Sequence, residues 1–552
     1  MPFEQVIIRP LLVDCPQLYQ SDTGLIEAVN EGLVVSEQEA LESYFYRLSA
    51  RDTDYYHQVE SLVTQRQAEN PNNSELTSTM GRRQLQIIIP TYHESENIPQ
   101  FLSEIEQQFD ASKSTDWGLT IVLNYPTPYP KKGESVELRT MKTQIDKFLD
   151  RHPQYQDRID TVTFSRFKDA DPQIMPVAIA RKIGEDVIMM EKLVAAQNGI
   201  TDQKPLYLGL MDMDTSKLTP GLIDEMVNSL PETSEETPVI VRVQGSYDKN
   251  DLKNHPHLHI LQEVWEGSIS TIGAETKHNP FNMGRLSAIP AKEFAITGGT
   301  LSKQLNFTDE DIRHGLQIAW QLNNVKTVEL NGKYSTSARR EIDMMQGLLE
   351  LLQDNNGVFN VETMECAALI RMYGKWSEQS FRKDFGNVLE SSSFQNKDLP
   401  RLIEAMANAF YRFTLFGIYS VEQLSQSPLA PEVNKLKQQF LSGQIPYFEV
   451  QIQTHEFIKS LAENDPERFK QIKSILDSVN QHAKQTMSDI LSTNNIHFEY
   501  ENPKIPMLGF LEKGVEISRG TTADKIVLQA PFKINNNQSK YLEKIRQDLE
   551  ES

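Results

Sequence analysis

The sequence predicts an α/β protein with a mostly parallel sheet of the doubly wound kind and helical segments on either side of it in the chain. Three observations carry that expectation. From Leu85 onward, short apolar and β-branched runs alternate with amphipathic stretches of helical length, the pattern of buried strands joined by crossover helices. The preceding stretch "AENPNNSELTSTMG" (68–81) has almost nothing to bury and reads as a boundary. Beyond about Glu341 the apolar spacing turns helical. The expected division is a helical N-terminal extension over 1–80, an α/β domain over 81–345 and a mainly helical domain over 346–552.

Taken in order, Ser36 is placed to cap one helix through "EQEALESYFYRLSARDTDYYHQVESLVTQRQ", which reads as an accessory segment. Strands are then predicted at "LQIIIP", "LTIVLNYP", "IDTVTFS" and "PLYLGLMD". The helices between and after them are "IPQFLSEIEQQF", "VELRTMKTQIDKFLD", "VAIARKIGEDVIMMEKLVAAQ" and "LIDEMVNSL". The C-terminal part offers "MMQGLLELLQ", "LPRLIEAMANAFYRFTLFGIY" and "RFKQIKSILDSVNQHAKQTMSDIL", with a strand pair expected around "IHFEYENP" and "KIVLQAPFKI".

Composition narrows the partners. Among 552 residues, 55 Lys and Arg against 77 Asp and Glu give a net charge of −22, with no basic run to neutralise phosphates. Nucleic acid and anionic membranes are therefore poor partners. Cys15 and Cys366 form no CxxC, so neither a disulfide framework nor a cysteine metal site is supported and a reducing compartment is expected. No run of about 18 apolar residues and no signal-like start occur, so a cytoplasmic protein without an integral membrane segment is expected.

In an open parallel sheet, ligands settle outside the carboxyl ends of the strands. One such end is "IIIPTYHESENI", where Pro90 is expected to stop ladder pairing and Glu96-Asn97 to open the next helix. Ordinary loop chemistry is the alternative there. A second end holds Asp212-Met213-Asp214. If extension continues, both carboxylates point to one side, the donor pair a hard cation such as Mg2+ or Mn2+ takes.

The chain has four DxD triplets, against roughly two expected by chance, and only this one ends an apolar strand inside the α/β pattern. An N-cap and turn is its structural alternative. Glu310 and Asp311 open an amphipathic helix, where dipole compensation competes with a general-base role. Arg181 with Lys182, and Arg339 with Arg340, suit either a diphosphate or solvent. His255, His257 and His259 match no standard metal spacing, and P-loop, GxGxxG and GxSxG motifs are absent from the sequence.

Set in order, these pieces resemble the nucleotide-sugar glycosyltransferases of the GT-A fold, family 2 type. "IIIPTYHESENI" is similar to the first strand and Pro-x-Tyr-Asn-Glu loop, "VAIARKIGED" to the Ala-Arg-Asn helix, and "LGLMDMDT" to the DxD. "NMGRLSAIPAKEFAITGG" resembles the segment with a glycine turn, "TDEDIRHGLQIAW" the Glu-Asp motif and "YSTSARRE" a Thr-Ser-x-Arg-Arg ending. The resemblance covers about Leu85 to Glu341. His93 stands in place of Asn, "VLNYPTPYP" replaces an acidic strand end, and no Gln-x-x-Arg-Trp follows the acidic helix, which sets processive polysaccharide synthases aside.

The resemblance implies a UDP- or GDP-sugar donor and an acceptor hydroxyl of unknown identity. Pro90, Tyr92, Glu94, Arg181, Asp212, Gly284, Arg339 and Arg340 would bind the donor, Asp212 and Asp214 would hold Mn2+ or Mg2+, and Asp311 beside Glu310 would be the base of an inverting hexosyl transfer. A retaining enzyme of the mannosylglycerate or glucosyl-phosphoglycerate synthase type is the first alternative. A non-catalytic nucleotide-sugar-binding module is the second. Nucleotidyl transfer is disfavoured because the first loop is acidic and lacks glycine. The C-terminal helices would select the acceptor or form a homo-oligomer.

Overall fold

The computed structural model describes residues 24–69, 83–91, 94–125, 132–165, 176–199, 204–233, 236–247, 286–300, 310–336, 417–445, 447–493, 498–500 and 532–534. These fall into two compact units.

The first unit opens with helices α1 (Gly24–Asn30), α2 (Glu37–Arg51) and α3 (Thr53–Glu69). Ser36 caps α2 through a reciprocal box with Glu39, as its spacing predicts. The single long helix expected there is two helices. Asp52 ends the first in a non-helical conformation, and its carboxylate accepts the Tyr55 N–H at 3.2 Å to start the second, the local competition that makes Asp a helix boundary.

The α/β alternation follows: β1 (Leu85–Thr91), α4 (Ile98–Ala111), β2 (Trp117–Tyr125), α5 (Lys132–Arg151), β3 (Ile159–Ser165), α6 (Pro176–Gln197), β4 (Tyr207–Leu210) and α7 (Leu222–Asn228). Strand β5 (Val239–Tyr247), strand β6 (Ser287–Pro290), helix α8 (Ala291–Ile296), helix α9 (Glu310–Gln321) and strand β7 (Lys326–Thr336) complete it. Among the described residues the sheet has seven strands in the order β3-β2-β1-β4-β6-β5-β7. β1 pairs in parallel with both β2 and β4, β2 pairs in parallel with β3, and β6 runs antiparallel to β4 and β5. The architecture is therefore mixed α/β with a mostly parallel sheet.

Pro90 does not end β1 on the β2 side, where the register runs on through Pro90 to Val122 and Thr91 to Leu123. The Ile88 carbonyl accepts from Met211 N–H of the segment leaving β4, so polar groups of even-numbered residues in β1 face β4. The donor that proline lacks thus falls on the side where pairing with β4 has already stopped, at Ile88 with Leu210.

Each sheet face has its own core. On one, Phe101 and Ile105 of α4, Met141 and Ile145 of α5, and Ile223 and Met226 of α7 pack with Ile87, Ile89, Leu119 and Ile121. On the other, α6 contributes Ile179, Ile183, Val187 and Met190 to a cluster shared with Ile88 and Val122, with α8 and α9, and with Tyr44, Phe45, Tyr55 and Val59 of the N-terminal helices. α6 is thus enclosed by sheet and helices, which explains why its sequence is apolar nearly all round. Gly184 allows the close approach, since a Cβ there would lie 2.5 Å from Ile88 Cγ2.

In the second unit, α10 (Gly417–Leu424), α11 (Ala430–Leu441), α12 (Tyr447–Asn464) and α13 (Pro466–Thr493) bury Val421, Leu424, Val433, Phe440, Ile458, Ile472 and Val479. The expected strand pair is present as β8 (Phe498–Tyr500) antiparallel to β9 (Phe532–Ile534). "MMQGLLELLQ" and most of "LPRLIEAMANAFYRFTLFGIY" lie outside the described residues. No described helix is long and apolar enough to cross a membrane.

Candidate functional site

The chain leaves β1 in one direction to β2 and β3, then returns on the other side of β1 as β4. The strand order therefore reverses between β1 and β4, and the crevice outside their carboxyl ends is where an open α/β sheet receives ligands. Thr91 ends β1 and Leu210 ends β4, so both segments singled out in the sequence leave the sheet at this crevice.

Extension does not continue into the DxD. Thr215 N–H donates to the Asp212 carbonyl at 3.2 Å, closing a turn. Burial still alternates: Met211 and Met213 are 0% and 2% exposed in the core beneath, while Asp212 and Asp214 are part-exposed. The two methionines anchor the segment, and the carboxylates occupy the positions between them.

Arg181 Nη2 donates to Asp212 Oδ1 at 2.5 Å. The guanidinium is 2% exposed and the aspartate side chain 20%, so a permanent cation is held behind a carboxylate that still reaches solvent. Asp214 Oδ1 accepts from Thr336 Oγ1 at 2.9 Å. Thr336 ends β7, whose approach is set by paired backbone hydrogen bonds between Ser216 and Ser335, both 2.7 Å. The antiparallel bridge thus brings the last residue of β7 to the DxD segment.

Past β1, the Glu94 carbonyl accepts from Asn97 and Ile98 N–H at 3.0 and 3.1 Å, and its carboxylate accepts from the Asn97 side chain. Glu137 of α5 accepts both the N–H and the hydroxyl of Ser95 at 2.8 Å. These contacts fix the loop at the start of α4.

Glu310 and Asp311 are the first two residues of α9. One turn further, His314 is 1% exposed and meets a buried carboxyl and hydroxyl. Its Nε2 is 2.8 Å from Thr300 Oγ1 and 3.2 Å from Glu185 Oε1, and Thr300 donates to Glu185 Oε2 at 3.0 Å. Burial, and then the neighbouring Asp186, pushes the Glu185 carboxyl up to about 8, against the opposing pull of Lys182, Thr300 and Arg181. Thr300 follows Gly298 and Gly299, whose φ values of 98° and 60° suit glycine. A Cβ on Gly299 would also strike the Tyr44 ring at 2.5 Å.

Behind Arg181, Asp186 accepts from Tyr44 and Tyr55 hydroxyls at 2.6 Å each and from Lys182 Nζ at 2.9 Å. Both phenols are pushed well above their usual range, by burial first and Asp186 next. Lys182, at 1% exposure, is committed to this cluster; solvation does not explain it.

The structure therefore brings Arg181, Asp212 and Asp214 together. It places Pro90 within β1 and Glu94 in the adjoining loop, and Glu310 and Asp311 at the start of α9. Tyr92, Gly284, Arg339, Arg340, the three histidines and Asp169-Ala170-Asp171 lie outside the described residues. Sequence reading missed Thr336, Glu185, Thr300 and His314. The detectable signal was "RKIGED", four charged residues set among the apolar residues of a helix that carries two more, Glu191 and Lys192. Among the described residues no group of three His, Cys, Asp or Glu could hold a metal ion, and Asp212 and Asp214 offer two carboxylates.

No protein-family model matches the chain, and no curated protein matches it. Among solved structures it is similar to the mannosyltransferase PcManGT from Pyrobaculum calidifontis in complex with GDP-Man and Mn2+, at 13% identity and a TM-score of 0.29, over 70% of this chain and 88% of that one. It is also similar to S. aureus TarS at 9% identity and a TM-score of 0.28, over 76% of this chain and 57% of that one. Likeness at these scores assigns no function, so the functional reading rests on the site itself.

Proposed function

We propose that this chain is a glycosyltransferase of the GT-A, family 2 type, moving a hexosyl group from a UDP- or GDP-sugar to an acceptor hydroxyl with a divalent cation at Asp212 and Asp214. The observation that carries the reading is the placement of both carboxylates at the β1/β4 reversal, one tied to the buried Arg181 and the other to Thr336. Two part-exposed aspartates fit Mg2+ or Mn2+ as a hard oxygen pair that leaves coordination positions for diphosphate oxygens. Bound there, the metal supplies charge stabilisation to the departing nucleoside diphosphate.

The chain's own residues do the rest. Arg181 is a fixed cation beside the diphosphate position, countering negative charge that grows as the glycosidic bond breaks. Glu94 and Tyr92 orient the nucleoside, with Gly284, Arg339 and Arg340 as further donor contacts. Asp311, with Glu310 beside it, takes the acceptor's hydroxyl proton as its oxygen attacks the anomeric carbon, and the nucleoside diphosphate leaves from the opposite face, inverting the configuration. The acidic chain with its two unpaired-motif cysteines suits a cytoplasmic setting.

The test is thermal unfolding with Mn2+ or Mg2+ and UDP, GDP, ADP, CMP or their sugars, beside Asp212→Asn and Asp214→Asn. Ligand at about a hundredfold over its Kd stabilises by roughly 2.7 kcal/mol. A metal-dependent shift with one nucleotide, lost in both variants, supports the donor site and names its base. The same shift without release of nucleoside diphosphate over long incubation would identify a binding module, and no shift with any nucleotide would remove the donor-site reading.

A further inference from the structure

The cluster of Glu185, Thr300 and His314 is buried and polar where apolar packing would serve stability as well or better. Its position is what distinguishes it. Glu185 lies one helical turn from Arg181 on α6, and His314 lies one turn from Glu310 and Asp311 on α9, each about 5.4 Å along its axis. Glu185, Thr300 and His314 are drawn together at this contact from the two helices and the Gly-Gly turn, with Phe294 edge-on to the imidazole at 5.2 Å. Gln317, one turn further along α9, donates to the carbonyls of Thr297 and Gly299 at 2.7 and 3.0 Å. His314 and Gln317 thus bond α9 at two successive turns to the segment Thr297–Thr300, and Thr300 carries the tie on to Glu185 of α6; an apolar contact tolerates sliding of one helix on another, whereas these directed hydrogen bonds admit one register.

We propose that Glu185 and His314, bridged by Thr300, are positioning residues that hold α6 and α9 in one register, so that Arg181 and the acidic first turn of α9 act on the same donor and acceptor. This rests on the glycosyl-transfer reading above. None of the three touches substrate; they act through Arg181 and Asp311. Arg181, Lys182 and Asp186 face the cluster from α6 itself, and Tyr44 faces it from α2, so its charge balance is set within the fold. Because Arg181 keeps its own bond to Asp212, loosening the register chiefly shifts the acidic first turn of α9 relative to the donor, so it slows the transfer step far more than it weakens donor binding.

The experiment measures kcat and donor KM by nucleoside diphosphate release for Glu185→Met, Glu185→Gln, Thr300→Val and Thr300→Ser in the full-length chain, each with a melting curve. Glu185→Met and Thr300→Val are expected to keep donor KM within about twofold and to lose about 10- to 100-fold in kcat, the size of effect that a small misplacement produces. Glu185→Gln and Thr300→Ser, which keep a hydrogen-bonding group, are expected to recover most of it. Unchanged kcat in folded Thr300→Val would overturn the proposal, as would losses in kcat and KM that simply track melting temperature. If Glu185→Met does not fold, Thr300→Val decides alone, since it deletes one hydroxyl at constant shape. Wild-type protein that neither binds nor turns over any nucleotide sugar would overturn the glycosyl-transfer reading and this inference together; active wild type with fully active Thr300→Val overturns only the inference.

Discussion

Arg181 on α6 donates across 2.5 Å to Asp212, just past the end of β4, joining a helix on one face of the sheet to the segment that leaves the carboxyl end of a central strand. The ion pair is asymmetric in exposure, with the guanidinium enclosed and the carboxylate within reach of water. That asymmetry leaves the carboxylate open to the crevice and keeps the guanidinium enclosed behind it.

Arg181→Lys keeps the charge and loses the planar fork, and it places a strongly hydrated ammonium in an enclosed site. Turnover is expected to fall by at least about tenfold, with nucleotide binding weakened in the thermal-shift assay. A variant with wild-type kcat would show that the guanidinium has no part in the reaction.

Thr336→Val removes the hydroxyl that orients Asp214 and preserves the side chain's shape. Groups that orient a metal ligand typically influence affinity by about 10- to 100-fold. The expected outcome is about tenfold weaker Mn2+ binding by calorimetry in the presence of nucleotide, with melting temperature in the absence of metal little changed.

Gly299 and Gly199 both have positive φ, 60° and 76°, but a Cβ on Gly199 meets nothing within 4 Å, whereas on Gly299 it would meet the Tyr44 ring. Gly199→Ala is therefore expected to lose only backbone conformational energy, about 1 to 2 kcal/mol. Gly299→Ala adds overpacking and should lose about 3 kcal/mol or more. Urea melts of the two variants side by side test the ordering.

Glu293 on α8 is 8% exposed, and burial pushes its carboxyl up to about 7 from the usual 4.5. The folded chain then holds this proton more tightly than the unfolded chain, so the associated stability is full below about pH 4.5 and is lost as pH rises through about 7. Glu293→Gln keeps the shape and removes the titration. Relative to wild type, its stability should improve between pH 5 and pH 8 by on the order of 1 to 3 kcal/mol. Denaturant melts at the two pH values measure it, and a change of opposite sign would mean that the carboxylate is ionised in the folded state.

Local chemistry was legible where it depends on neighbours in sequence. β-branched runs such as "QIII" have one low-energy use, as buried strands, and a Ser followed three residues later by Glu caps a helix wherever that helix sits. The strands β5 and β7 were less visible: "KTVELNGKYST" alternates buried and exposed positions with polar residues throughout, and its identity depends on the sheet edge it joins.

The sequence by itself determined the α/β alternation, the placement of Asp212 and Asp214 after an apolar strand, and the helix opening at Glu310, because periodicity and end chemistry are properties of short segments. Only the tertiary structure decided that the charged residues of "RKIGED" are enclosed, that Thr336 reaches Asp214 from 122 residues away, and that Glu185 meets His314. Those partners come from distant parts of the chain. A charge on a helix looks the same in sequence whether water or another helix covers it, and which one does is settled by the order in which the strands pair.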